Sequence, residues 1–379
     1  MLRMPTTLPS FSALDHEHMA HALRLAERGL YTTQPNPRVG CVIAHGDEVV
    51  GTGFHQRAGE PHAEVYALRE AGARAHGATA YVTLEPCAHH GRTPPCAEAL
   101  IAAGVARVVM AAEDPFPQVD GRGIARLRAA GIAVDVGLMR EAARELNVGF
   151  FSRIERSRPF VRVKLAMSLD GRTALANGES TWITGEAARA DVQRWRARSS
   201  AILSGSGTVQ ADNPRLTVRL ASNAHSSDAA GEVGFRPLRV ILDSQLRTSA
   251  NSHVLDGSVP TLVYCQFGAI GSRNTFEFVE CVRAAEVAGK IDLCAVLEDL
   301  ARRGCNEVHV EAGPTLCGAL FAAGLVDELL LYIAPLLLGD DGRPLLKLPI
   351  LTDLADRWQL RTIEQRTIGS DWRLRLRPI

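Results

Sequence analysis

Short apolar runs alternate with helix-length amphipathic segments along most of this 379-residue chain, and that alternation restricts it to the α/β class. Residues 17–30 place Met19, Leu23, Ala26 and Leu30 on one helical face. The runs VGCVIA (39–44) and EVVGTGF (48–54) flank His45-Gly46-Asp47 and read as an antiparallel hairpin. Helix and strand then take turns. A helix starts near Pro61, a strand follows at 79–84, and a helix runs from about Pro95 to a stop at Gly104. A strand at 106–111, a helix ending at Gly131, a strand at 132–137 and a helix from Met139 complete the series. This order predicts a largely parallel sheet with helices on both faces, filling residues 1–150 as a first domain.

The polar stretch SRIERSRP ends in Pro159, so residues 151–159 read as a linker. A second domain, 160–379, opens with FVRVKLA and continues with AILSG, LRVILDS, PTLVYC, NEVHVE, DELLLYIA and DWRLRLRP as strands. Helical patterns interrupt them at 185–198, 295–303 and 314–323. Residues 221–234 read as an exposed loop, and 349–379 as a closing strand segment plus loops.

Composition narrows the class. Lys and Arg total 42 and Asp and Glu total 42, so no basic excess points to a nucleic-acid partner. The N-terminus shows no apolar signal-peptide core, and the longest apolar run, Leu329–Leu338, is too short for a bilayer and contains Pro335. A cytoplasmic enzyme acting on a small molecule, with no membrane partner, is expected. In a reducing compartment the 8 cysteines are not a disulfide framework.

Two of them frame EPCAHHGRTPPC (85–96). Cys87 follows a strand and a proline, and Cys96 begins a helix after Pro94-Pro95. Upstream, GEPHAEVYAL puts His62 in the first turn of a helix, since Pro61 loses nothing there, and Glu64 two residues on. All three candidate ligands, His62, Cys87 and Cys96, therefore stand at strand-to-helix junctions, which converge at one edge of a parallel sheet. Three protein ligands leave a coordination position for water on a catalytic zinc, and Glu64 then suits proton transfer. If His89 or His90 supplied a fourth ligand, the zinc would be structural. A Cys87–Cys96 disulfide is the remaining reading. Cys41, on an apolar strand, reads as core.

The pattern His-x-Glu followed by Pro-Cys resembles the zinc deaminases, in which the glutamate is the general acid/base. Eight residues, rather than two, separate the cysteines here. That longer form, together with PNPRVGCVI (35–43), GFHQRAGEPHAE (53–64) and DPFPQVDGRG (114–123), is similar to the deaminase half of the bifunctional riboflavin-biosynthesis deaminase/reductases. The resemblance implies a cytidine-deaminase-like three-layer domain, with Asn36, His55 and Arg92 as substrate contacts.

Three further blocks, 163–184, 201–219 and 308–335, resemble the reductase half of the same family. Read alone, they show only small-residue strand-to-helix turns suited to phosphate, with no Gly-x-Gly-x-x-Gly opening a helix. The resemblance implies a dihydrofolate-reductase-like fold and NADPH as hydride donor. It places cofactor contacts at Ala166, Trp182, Thr208, Asp212, Ser244, Gly313, Pro314, Thr315, Leu316, Cys317 and Gly318. It places substrate contacts at Lys164, Ser180, Arg196, Leu216, Arg219 and Glu311. The arginines would suit a sugar phosphate, and Trp182 could equally be core. A homo-oligomer, dimer or tetramer, is expected.

The implied reactions are consecutive. A 2,5-diamino-6-(5-phosphoribosylamino)pyrimidin-4(3H)-one is deaminated hydrolytically, and the ribosyl group of the resulting uracil is reduced to ribityl. Two other classes compete: a nucleic-acid base deaminase with an appended nucleotide-binding domain, and a non-catalytic zinc module on a nucleotide sensor.

Overall fold

The computed structural model describes residues 11–88, 95–220, 236–266 and 279–379; Arg92, His89, His90 and the expected loop at 221–234 lie outside the described residues. The chain divides into two compact units between Glu155 and Arg156.

The first unit runs α1 (Ala13–Glu27), β1 (Gly40–His45), β2 (Glu48–Phe54), α2 (Ala63–Ala71), β3 (Thr79–Val82), α3 (Cys96–Ala103), β4 (Arg107–Met110), α4 (Arg122–Ala129), β5 (Ala133–Val136), α5 (Arg140–Leu146) and α6 (Val148–Arg156). Its sheet has the order β2-β1-β3-β4-β5. β1 is antiparallel to both neighbours, whereas β3, β4 and β5 pair in parallel, so β1 alone runs against the rest. Strand periodicity sorts the side chains into two apolar layers. Ile43, Val82, Val108 and Met110 pack against Ala67 of α2, Leu100 of α3 and Leu127 of α4. Val42, Tyr81 and Val109 pack on the other face against Met19 and Ala22 of α1 and Phe150 and Phe151 of α6. Cys41 is fully buried in the first of these layers.

A capping box starts α1: Ser12 Oγ accepts from the Asp15 amide at 3.1 Å, and Asp15 Oδ2 accepts from the Ser12 amide at 2.9 Å. Asp15 Oδ1 also accepts from Tyr81 Oη at 2.9 Å and Arg107 Nη1 at 2.7 Å, which ties the helix to β3 and β4.

The expected linker at 151–159 is largely helix. α6 continues to Arg156, because Phe150 and Phe151 anchor it in the second apolar layer. The helix ends only at Ser157, whose φ of 55° is left-handed.

The second unit contains β6 (Phe160–Ser168), β7 (Arg172–Ala174), α7 (Glu186–Ala197), β8 (Ala201–Gly205), α8 (Ser206–Asp212), β9 (Leu238–Leu242), β10 (Thr261–Cys265), β11 (Val279–Arg283), β12 (Glu286–Val287) and β13 (Lys290–Ile291). It continues with α9 (Leu293–Arg302), β14 (Glu307–Val310), α10 (Pro314–Ala322), β15 (Glu328–Ala334), β16 (Arg343–Pro344), β17 (Leu360–Ile368) and β18 (Asp371–Pro378). Nine strands form one sheet in the order β11-β10-β9-β8-β14-β6-β15-β18-β17. It is parallel from β11 to β15 and antiparallel through β18 and β17. One face packs Val163, Leu203, Val310 and Leu331 on Leu300 of α9 and Leu320 of α10. The other packs Leu330 and Tyr332 on Val192 and Trp195 of α7.

Arg162 is fully buried within this sheet. It donates to Glu307 at 2.9 Å and Glu328 at 2.6 Å, and its guanidinium lies 4.6 Å from the Trp195 ring. Two carboxylates and an aromatic face thus compensate a charge that could not otherwise be buried.

Candidate active sites

His62 is the residue just before α2, in extended conformation, and Glu64 lies in the first turn. Cys87 follows β3 through a short connection, and Cys96 opens α3. These junctions bring three donors together. His62 Nδ1 stands 3.2 Å from Cys96 Sγ and 3.6 Å from Cys87 Sγ, and all three ligand atoms lie within 4.8 Å of one another. The Cys96 amide donates to Cys87 Sγ at 3.4 Å. Hydrogen bonding from Cys96, opposed by burial and supported by His62, holds the Cys87 thiol down at about 4. Both cysteines are free thiols, which excludes the disulfide reading.

Glu64 is 3% exposed, and its Oε2 is buried with no hydrogen-bond partner among the described residues. Burial raises its pKa. One imidazole nitrogen, two sulfurs and an uncommitted buried carboxylate suit a zinc ion that keeps a position for water.

Asn36 and His55 stand at the same place. A carbonyl only accepts, so His55 Nδ1 donates to Pro61 O at 3.1 Å and Nε2 accepts from Asn36 Nδ2 at 3.1 Å. Burial lowers the pKa of His55, consistent with this neutral ring. The His55 and His62 rings meet edge to face, 5.5 Å between centroids.

Asn36, His55, His62, Glu64 and Cys87 line a cavity of about 300 Å³ whose wall also includes Glu85, Asp114, Phe116, Phe150 and Arg153. Glu85 is a loop pin: Oε1 accepts from the Ile124 amide at 3.1 Å, and Oε2 from Gly121 at 3.1 Å and Asp114 at 3.3 Å. Burial pushes Asp114 up to about 6. Asp114 and Phe116 belong to a motif already noted in the sequence. Phe150 and Arg153 carry no local signal, because only the packing of α6 brings them to the wall.

In the second unit the paired strands β8 and β14 each run into a helix at the same edge. Their turns touch: Thr208 Oγ1 accepts from the Gly313 amide at 3.2 Å. Glu311, just beyond β14, faces Arg196 of α7 in a two-pronged pair, with Arg196 Nη1 also donating to Thr217 O at 2.9 Å. Arg196 is thus committed to Glu311 and a backbone carbonyl rather than left open for a phosphate. Arg219 and Asp212 are exposed. Lys164 of β6 has its Nζ 5.9 Å from the Tyr332 ring centroid. Burial lowers its pKa, Glu311 raises it, and Arg196 lowers it again.

The other sequence-derived positions scatter around this edge. Ala166 lies on β6, cross-strand from Tyr332. Trp182 is 72% exposed beneath the Arg189 guanidinium, so it is not core. Ser180 and Ser244 are half-buried, and Leu216 is buried with a φ of 47°. Along α10, Pro314, Thr315 and Leu316 form the turn, whereas Cys317 and Gly318 face the interior. Cys317 Sγ donates to Ala312 O at 3.3 Å. A Cβ on Gly318 would stand 2.0 Å from Lys347 O, so the close approach of that segment requires glycine.

Known proteins resemble both units. The cytidine and deoxycytidylate deaminase zinc-binding region matches residues 12–112, and the RibD C-terminal domain matches residues 159–374. The riboflavin biosynthesis protein RibD of Escherichia coli is 52% identical over 359 residues, covering 94% of this chain and 97% of the relative. That of Haemophilus influenzae is 49% identical, covering 97% and 98%. The solved structure of Acinetobacter baumannii RibD, form 1, superposes with a TM-score of 0.88 at 44% identity, covering 97% of this chain and 99% of that one. A Thermotoga maritima diaminohydroxyphosphoribosylaminopyrimidine deaminase/5-amino-6-(5-phosphoribosylamino)uracil reductase superposes with a TM-score of 0.83 at 31% identity, covering 97% and 99%.

Proposed function

The chain belongs to the RibD family of riboflavin-biosynthesis proteins, and from that premise we propose how its residues divide the work. It is a bifunctional enzyme: a cytidine-deaminase-like unit with a zinc-binding site, followed by a dihydrofolate-reductase-like unit that uses a nucleotide cofactor. The deaminase acts on 2,5-diamino-6-(5-phosphoribosylamino)pyrimidin-4(3H)-one, and the reductase converts the ribosyl group of its product to ribityl.

In the first unit His62, Cys87 and Cys96 would hold zinc. Bound there, the ion supplies a water acidified toward neutrality. Glu64 moves the protons. Its buried Oε2, with no partner among the described residues, takes one proton from the attacking water and gives it to the ring nitrogen, then takes the second from the new hydroxyl and gives it to the departing ammonia. The observation that carries this reading is that orphaned oxygen beside three converged donors. Asn36, oriented by His55, presents its amide to the pyrimidine. Arg92 is a further substrate contact in the same reading.

In the second unit NADPH, when bound, would supply the hydride that reduces C1′ of the opened ribose. The Thr208 and Gly313–Leu316 turns would cradle its phosphates, with Ala166, Trp182, Asp212 and Ser244 around it. Lys164 and Glu311 face the reacting end, Arg196 fixes the Glu311 carboxylate, and exposed Arg219 meets the substrate phosphate. Ser180 and Leu216 complete the substrate wall. Cys317 and Gly318, both buried in α10, would support the Gly313–Leu316 turn by packing. A cytoplasmic homo-oligomer belongs to the same reading; among the described residues no helix is long and apolar enough to cross a membrane.

The test is ammonia release from the diaminopyrimidinone. Wild type releases it and Glu64→Gln, still holding zinc, does not; equal release by both would remove Glu64 from the mechanism.

A further inference from the structure

Glu311 is held by more than its ion pair. Its amide donates to Leu203 O at 2.9 Å and its carbonyl accepts from Ser204 Oγ at 2.7 Å, so its backbone is tied twice to β8. Its carboxylate meets the Arg196 fork of α7. A third group reaches it from within the sheet. His309 Nε2, on β14, stands 3.3 Å from Glu311 Oε1, the oxygen that also accepts from Arg196 Nε.

We propose that His309 is a positioning residue for the reductase step, fixing Glu311 Oε1 from the sheet so that the carboxylate keeps one orientation toward the reacting end. Alternation along β14 turns Val308 and Val310 into the apolar layer under α9 and α10, and turns His309 the other way, with Glu307. The ring is fully buried, in register with Ile202 of β8 and Arg162 of β6. Among the described residues neither ring nitrogen has a hydrogen-bond partner of good geometry, and the Glu311 carboxylate is the group that Nε2 faces. An imidazole buried in this way costs free energy that an apolar side chain beside Ile202 would not, which points to use of the Glu311 contact.

A carboxylate only accepts, so the ring hydrogen belongs on Nε2, toward Oε1. Burial lowers the pKa of His309, Glu311 raises it, and Arg162 and Arg196 lower it again, which favours the neutral ring with a single N–H. The two holds on Glu311 differ in kind. The Arg196 fork keeps the carboxylate in the plane of the guanidinium, but both groups ride on long side chains that can swing together. His309 stands two residues before Glu311 on a strand paired on both sides, by β8 and β6. It therefore ties the ion pair to the sheet.

This inference rests on the reductase reading above, and the experiment separates the two. NADPH oxidation on pre-deaminated substrate is measured for wild type, His309→Gln and His309→Asn, with NADPH binding followed by fluorescence as the check that each second unit is folded. Gln carries its amide nitrogen about as far from the backbone as Nε2 of the imidazole, and Asn about as far as Nδ1, so the two differ in reach and not in polarity. His309→Asn lowers kcat/KM for the substrate roughly 10-fold, as loss of one hydrogen bond to a charged group requires, while its KM for NADPH stays within about twofold of wild type. His309→Gln recovers most of the loss. Equal kcat/KM in the two variants, whether unchanged or reduced, would show that His309 only fills the sheet. A KM for NADPH that rises in step with the loss, or loss of NADPH binding by both variants, would show the same; each of these results overturns the proposal. If wild type does not oxidise NADPH on this substrate, the reductase reading fails first.

Discussion

Glu311 and Arg196 are joined through both prongs, Nε to Oε1 at 2.5 Å and Nη2 to Oε2 at 2.8 Å, across 115 residues of sequence. The arginine opposes the burial that would otherwise raise the carboxyl, and holds Glu311 well below the usual carboxylate range. In the reductase step proposed above, Glu311 would therefore stand as a fixed negative charge and not as a proton donor.

Removing one partner strands the other charge in a mostly buried place. Arg196→Met lowers the stability of the second unit by about 3–5 kcal/mol, and Arg196→Met/Glu311→Leu by less than the sum of the single changes. Urea unfolding of the four proteins checks this. A coupling near zero would mean that the pair does not act as a unit.

Metal and proton transfer separate in the first unit. Cys96→Ser loses zinc and ammonia release together, whereas Glu64→Gln keeps zinc and loses release by roughly 100- to 10,000-fold. Metal content measured beside activity decides. A zinc-free Glu64→Gln protein would make the glutamate structural.

Gly123 controls the approach to Cys87. A Cβ there would stand 2.0 Å from Pro86 O and 3.1 Å from Glu85 Oε1. Gly123→Ala displaces the loop that carries Cys87, so zinc affinity falls while NADPH oxidation on pre-deaminated substrate persists. Chelator competition reads the affinity; an unchanged value would show that α4 shifts instead.

Acid stability follows Asp15. Burial alone would raise its pKa, but Arg107, the Ser12 amide and Tyr81 together lower it from 3.8 to about 2. A group depressed on folding contributes stability above its unfolded pKa and loses it as pH falls through the folded one. Asp15→Asn is therefore less stable than wild type near neutrality, and the difference closes between about pH 4 and 2. Thermal melts of both proteins across that window measure it; a constant difference would contradict the assignment.

The parts of the fold that the sequence reveals are those specified locally. Pro61 and Pro95 put His62 and Cys96 at helix starts, and Cys87 follows β3, so each zinc donor stands in a strand-to-helix connection. α6 is hidden because its apolar anchors, Phe150 and Phe151, precede a polar stretch that reads as linker. β17 is hidden because LRTIEQRTI is largely exposed at a sheet edge and shows no clean alternation. Arg153 at the cavity wall and the pairing of Arg196 with Glu311 depend on long-range packing, which no local pattern encodes.

The central claim is two reactions in a fixed order on one chain. The most direct measurement is NADPH oxidation after adding the diaminopyrimidinone ribosylamine phosphate, wild type beside Glu64→Gln. Wild type consumes NADPH, and the variant does so only with the pre-deaminated substrate. NADPH consumption by Glu64→Gln on the original substrate, at the wild-type rate, would contradict the order and the role of Glu64 together.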